Sequence, residues 1–161
     1  MRGLGFGQSG RMSSRRYRFD STWIVDAPPE TVFAAVVDLG DYPKWFPGER
    51  SVRRIDEDEA ELEVRAVVPY RLRLRMRRSV QDEANGTVQV TISGDLDGVL
   101  RGELSTLDGG TRLRITQDVE LRKPLLVAFE RVARPVYLIN HALFMRAGSR
   151  RLTRYLSART G

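Results

Sequence analysis

Two polar residues interrupt strand faces that are otherwise apolar, and they are the first candidates for chemistry. Counting by twos, Leu72, Leu74 and Met76 are followed on the same face by Arg78 and then Val80. In the same way, Leu113 and Ile115 are followed by Gln117 and then Val119. Side chains alternate sides along a strand, so both polar residues point by parity toward the apolar side. A buried amide without a partner costs about 1–3 kcal/mol, so Gln117 needs protein, water or ligand to satisfy it. Inside an apolar cavity the two would act as hydrogen-bond anchors for a small molecule. The plainer alternative is that both sit near a strand end or bulge and reach solvent. Trp45 has two roles open to it as well, covering a junction between elements or lining the mouth of a cavity.

Other chemistries are excluded by what is missing. The chain has no cysteine and one histidine, so no disulfide, thiolate nucleophile or metal site of ordinary ligand type is expected. No carboxylate falls on an inward strand position, which leaves no acid–base pair. Neither catalytic residues nor a cofactor are expected. His141 lies about 200° round a helix from its main apolar stripe, beside Tyr137 and Phe144, and is expected at a surface or partner interface. Asn85-Gly86-Thr87 matches a glycosylation sequon, but a hairpin turn explains it.

Length and charge set the frame. At 161 residues there is room for one domain with a real core. The net charge of +6 sits largely on a Gly/Ser-rich leader, residues 1–16, with Arg2, Arg11, Arg15, Arg16 and no acid. That leader is expected to be disordered, followed by a single domain over 17–157 and a tail over 158–161. Arg71, Arg73, Arg75 and Arg77 alternate opposite Glu61, Glu63 and Arg65, as on a solvated sheet face. No aromatics interleave with them, so nucleic acid is not an expected partner. No run approaches the ~20 apolar residues of a membrane span, and no signal peptide opens the chain. Stable membrane insertion is therefore not expected, and a cytoplasmic location is the default.

The elements that must position these residues follow from spacing. A strand over 17–25 leads to Pro28 and Pro29, suited to a first helical turn. Val32, Phe33, Val36 and Val37 then form one helical face. Gly40 ends that helix, and Asp41 caps a very short one carrying Pro43, Trp45 and Phe46. Strands are expected over 50–55, 61–68, 70–80, 87–93, 99–107 and 112–121, with turns at Asn85-Gly86, Asp97-Gly98 and Asp108-Gly109-Gly110. Asn85-Gly86 suits a type I′ turn, which needs φ > 0 at both residues. A helix over 124–157 closes the chain, kinked or interrupted near Pro135. Its stripe of Leu125, Phe129, Val132, Val136, Ile139 and Leu143 is expected to face the sheet.

That order, with Ala27-Pro28-Pro29-Glu30-Thr31-Val32-Phe33, Asp38 and Tyr42-Pro43-Lys44-Trp45 at its start, resembles the START-like (SRPBCC) superfamily. More narrowly it resembles the bacterial polyketide cyclase/dehydrase-type branch. Gly102, Gly110-Thr111 and the segment from Asn140 to Gly148 add to the likeness, which covers residues 17–156. The resemblance implies an α+β helix-grip fold, in which a seven-stranded antiparallel sheet wraps a long C-terminal helix and two short helices separate strands 1 and 2. It also implies an apolar cavity between sheet and helix. The expected lining is Trp45, Leu74, Met76, Arg78, Val90, Leu104, Gln117, Phe129, Val132, Val136 and Ile139.

The leading expectation is a non-enzymatic binder or carrier of a small hydrophobic molecule, lipid or polyketide-like, gated by the kinked helix or the loop after Trp45. An alternative is a cofactor-free aromatase/cyclase acting on a poly-β-ketone through Arg78, Gln117, Tyr70 and Thr116. A third is a protein-interaction module using Tyr137, His141 and Phe144. A homodimer is compatible with each.

Overall fold

The structure is a computed structural model that describes residues 16–46, 49–65, 71–128 and 130–159. Seven strands form one antiparallel sheet in the order β1-β7-β6-β5-β4-β3-β2. They are β1 (Arg16–Val25), β2 (Glu49–Arg54), β3 (Glu59–Arg65), β4 (Arg71–Asp82), β5 (Thr87–Gly94), β6 (Leu96–Leu107) and β7 (Gly110–Leu121). Between β1 and β2 lie α1 (Pro29–Val37), a short 3-10 turn and α2 (Tyr42–Trp45). After β7 come α3 (Pro124–Ala128) and α4 (Glu130–Arg159). This is the expected helix-grip architecture.

The helix pair forms where its sequence places it, except that Asp41 precedes α2 without capping it, its carboxylate being held by Lys44 and Tyr155. Pro29 opens α1 with its fixed φ, and Val32, Phe33, Ala35 and Val36 are buried beneath it. The Asp38 carboxylate accepts from Gly40 N at 3.0 Å, stopping α1 and starting the 3-10 turn. Thr111 Oγ1, fully buried, donates to Ala27 O at 2.7 Å and ties β7 to the start of α1. On the outward sheet face the expected charge pairs are present. Arg75 holds Glu61 at 2.8 Å and Arg53 holds the same carboxylate at 2.5 Å.

Three local expectations are revised and a fourth, at Pro135, is narrowed. Arg16 is not leader but the first residue of β1, aligned with Glu120 and bonded to Asp118 at 2.6 Å; residues 1–15 lie outside the described residues. Asn85-Gly86 is not a type I′ turn, because Gly86 has φ +64° while no non-glycine among the described residues has positive φ. The connection spans 83–86, and the Asp82 carboxylate accepts from Asn85 N at 3.1 Å. Asp97-Gly98 is not a turn but lies inside β6. A Cβ on Gly98 would fall 2.0 Å from Asp118 O on β7, so the glycine serves close strand approach. Pro135 lies inside α4 without ending it.

The largest revision concerns which side of α4 meets the sheet. Val136, Ile139 and Leu143 are 41%, 61% and 45% exposed, and Leu125 of α3 is 61% exposed. The buried side instead carries Asn140, Leu152 and Leu156, with Tyr137, Phe144, Met145 and Tyr155 packed against the core. Aromatic rings cover more area per residue than aliphatic ones, and this side stays apolar to the C-terminal end.

Candidate functional site

A cavity of about 200 Å³ lies between the concave sheet face, the α1–α2 region and α4. That is more than ten times the ~10–15 Å³ one water requires. Strand parity builds its walls. Tyr17, Phe19 and Trp23 point inward from β1, Leu113, Ile115, Gln117 and Val119 from β7, and Leu72, Leu74 and Met76 from β4. Trp45 and Phe46 close one end from the α2 side, and Phe46 meets Phe144 of α4 edge-on at 5.1 Å. Beside this seam Tyr155 donates to Asp41 Oδ2 at 2.8 Å and Lys44 donates to Asp41 Oδ1 at 2.6 Å. Lys44, which contributes most, the Tyr155 phenol and Arg159 at 3.9 Å hold the Asp41 carboxyl below its ordinary range.

No aspartate, glutamate, lysine or arginine lines the cavity among the described residues. Its tyrosines are largely occupied elsewhere. Tyr42 donates to Val36 O at 2.8 Å, and its burial pushes the phenol pKa well up. Tyr137 donates to Leu126 O at 3.1 Å. Trp45 Nε1 is buried and has no acceptor among the described residues.

Polar side chains on the wall are Gln117, His141 and the buried Asn140, and the first two form a pair between β7 and α4. His141 Nε2 lies 3.1 Å from Gln117 Oε1, and the His141 ring stacks on Phe19 at 3.5 Å between centroids and 10° between planes. Phe19 and Gln117 are direct cross-strand neighbours on β1 and β7, so one imidazole contacts both. Burial lowers the His141 pKa to about 4, which leaves the ring neutral at pH 7. With Gln117 Oε1 accepting, Nε2 carries the proton and Nδ1 is an acceptor, while the Gln117 amide N–H groups are donors. In that arrangement the pair carries an acceptor at Nδ1 and donors on the amide nitrogen.

Of the residues expected at the site, Trp45, Leu74, Met76, Val90 and Gln117 lie on the cavity wall. Leu104 is half-buried against the core but off the wall. Arg78 is a strut rather than a pocket residue. It bonds Asp58 Oδ1 at 2.6 Å, Val37 O at 2.8 Å and Glu57 O at 2.8 Å, clamping the end of α1 to the β2–β3 turn. Val136 and Ile139 face away from the sheet. Phe129, Tyr70 and the Val132 side chain lie outside the described residues. Thr116 is on the opposite sheet face from Gln117 by parity, as expected.

His141, placed by sequence reasoning on the outer side, is the site residue most plainly missed, together with Phe19, Trp23 and Tyr137. Period-two alternation of Tyr17, Phe19 and Trp23 was the available signal on β1. With Tyr137, His141 and Phe144 turned inward, an outer protein-binding face built from them is ruled out. Among the described residues there is no group of three or more metal-ligating side chains and no helix long and apolar enough to cross a membrane.

Comparison with solved structures finds the same architecture at low identity. TTHA0849 from Thermus thermophilus matches with TM-score 0.75 and 17% identity, over 91% of this chain and 99% of that one. The Zhui aromatase/cyclase from Streptomyces sp. R1128 matches with TM-score 0.75 and 18% identity, over 91% and 96%. A START superfamily protein from Mycobacterium smegmatis matches with TM-score 0.56 and 20% identity, over 81% and 96%. No curated protein matches. The family model described as polyketide cyclase / dehydrase and lipid transport matches residues 16–156, and the chain belongs to that family.

Proposed function

We propose that this protein binds a small, uncharged hydrophobic molecule, lipid-like or polyketide-like, in the cavity between sheet and α4. The observation that carries the reading is the lining itself, apolar and free of charged side chains among the described residues, with the neutral Gln117–His141 pair on its wall. Burying about 300 Å² of apolar ligand surface at ~25 cal/mol/Å² yields roughly 7–8 kcal/mol before association costs. A carboxylate in the same place would find no cation and would carry an uncompensated desolvation cost. The pair orients the ligand by accepting from a hydroxyl at Nδ1 and donating to a carbonyl or ether oxygen from the amide.

Both tryptophans of the chain, Trp23 and Trp45, lie on the wall, so intrinsic fluorescence reports occupancy. Titration with 1-octanol should give a saturable change, with octanoate at pH 7.4 about tenfold weaker or worse. Gln117→Leu should narrow that gap by weakening octanol. Absence of any saturable response to octanol would sink the reading.

A second reading, cofactor-free cyclisation of a poly-β-ketone, is favoured by the His141–Gln117 pair alone. The amide could polarise a carbonyl while Nδ1 receives a proton from the adjacent carbon. A ring with a pKa of about 4 is a weak base at neutral pH, so binding without chemistry leads. Turnover of a poly-β-ketone mimic that His141→Phe abolishes and Arg78→Met leaves intact would reverse that order.

A further inference from the structure

The fold accounts for one side of α4 and leaves the other unexplained. Val136, Ile139, Leu143, Arg146, Arg150 and Arg154 follow one another at steps of three and four. They occupy about 80° of arc along roughly 27 Å of helix. The three aliphatic side chains are exposed, as are the three arginines. From Arg131 to Arg159 the sequence contains no acidic residue. Arg146, Arg150 and Arg154 have no carboxylate partner among the described residues. Arginines of the sheet behave differently: Arg16, Arg53, Arg75 and Arg114 each hold a carboxylate at 2.5–2.8 Å.

An uncompensated basic row that runs into a row of exposed aliphatics is complementary to the boundary of an anionic bilayer, where phosphates lie beside acyl chains. A second copy of this chain fits less well. An isologous pair sets the same face against itself, and this face supplies no carboxylate to meet the arginines of its twin. An acidic protein would match the arginines but would also need an apolar groove of matching length for the convex aliphatic row. We propose that the outer face of α4 docks the protein peripherally and reversibly on anionic membrane surfaces. Val136, Ile139 and Leu143 reach the acyl boundary, and Arg146, Arg150 and Arg154 meet lipid phosphates. Tyr137, His141 and Phe144 on the other side of the same helix line the cavity, so docking sets the cavity cover against the bilayer. The docking does not depend on the cavity being occupied.

The full chain is tested by co-sedimentation with vesicles of phosphatidylcholine alone and with about 30% phosphatidylglycerol. The anionic vesicles should retain the protein about tenfold better, and raising salt from about 0.1 to 0.5 M should release most of it. Ile139→Ser with Leu143→Ser, and separately Arg146→Ser with Arg150→Ser and Arg154→Ser, should each cut retention about tenfold. Thermal unfolding should be unchanged, because all five side chains are exposed. The basic leader also attracts anionic vesicles, so retention that neither variant lowers would overturn the proposal. So would equal retention on both vesicle types, retention on neither, or a solution dimer that the Ile139→Ser/Leu143→Ser variant splits.

Discussion

On the inner side of α4, Tyr137, His141, Phe144, Leu152 and Tyr155 meet the sheet and α2, whereas on the outer side Val136, Ile139 and Leu143 stand in solvent and lead into Arg146, Arg150 and Arg154. Over the first two turns the outer side is the more aliphatic. What separates the sides is continuity and area. The inner row runs on through Gly148, Leu152 and Leu156, all buried, while the outer row turns to arginine. A helix that closes a sheet is held along its whole length, so the side that stays apolar to the end wins over the side that begins most apolar.

The comparison breaks most sharply in the core. Leu152 is 0% exposed, so Leu152→Ala should destabilise by about 2–5 kcal/mol. Ile139→Ala, on the outer side, should fall within about ±0.5 kcal/mol. Urea unfolding of the two variants measures the difference directly. Similar losses in both would mean that the two sides of α4 have been exchanged.

Legibility in the sequence followed the same division. Strand parity carried Leu74, Met76, Val90 and Gln117 to the cavity wall, because a period of two leaves only two sides to choose from. A helix offers a continuous choice of side, and two overlapping stripes competed over 136–145. Reading three turns further would have separated them, since one stripe meets Arg146, Arg150 and Arg154 and the other Leu152 and Leu156. Arg78 shows a different limit. Its parity was correct, but β4 shifts register at Arg78/Val80, and the long side chain reaches past the wall to Asp58 and Val37 O. Asp97-Gly98 carried a turn signal inside a strand, because glycine also answers close backbone approach, which only tertiary structure reveals.

Arg78 and Gln117 can therefore be told apart by experiment. Arg78→Met leaves Val37 O and Glu57 O without their donor and should cost about 1–3 kcal/mol in unfolding, while octanol affinity stays within about twofold. Gln117→Leu should do the reverse, weakening octanol more than it weakens the fold. A large loss of ligand affinity in Arg78→Met would return the arginine to the site.

His141 adds a pH signature to the inner side. An unfolded histidine takes up a proton near pH 6.5, whereas the folded ring resists until about pH 4 because burial disfavours its charged form. The unfolded state thus binds more protons between these values, and stability is full above about pH 6.5 and falls as pH drops toward 4. Phe19 and Gln117, which face the ring, are uncharged. After allowing for partial exposure, the fall should be about 1–3 kcal/mol. His141→Phe should flatten it. Asp20, Asp41, Glu61, Asp82 and Asp118 are held below the ordinary carboxylate range by their partners, so their own loss of stability begins near pH 5, as the unfolded carboxylates start to protonate, and the interval from about pH 6.5 to 5 isolates the ring. A slope unchanged in His141→Phe would show that the ring is not buried on the inner side.

The smallest effect separates the two populations of arginine. Arg75 contacts Glu61 at 2.8 Å and Glu59 at 3.2 Å, with its charged form favoured first by the Glu61 hydrogen bond. Arg150 has no such partner among the described residues. Exposed pairs contribute little and are screened by salt. Arg75→Gln should therefore lower the unfolding midpoint slightly at low ionic strength, and that difference should fade in about 1 M salt. Arg150→Gln removes a charge from a helix that holds no neighbouring acid, so it should leave the midpoint unchanged or raise it, most visibly at low salt. The sign at low ionic strength is the deciding reading: a loss of stability in Arg150→Gln that salt abolishes would mean that the outer arginines of α4 are paired within the fold, and would remove the charge that an anionic surface is proposed to meet.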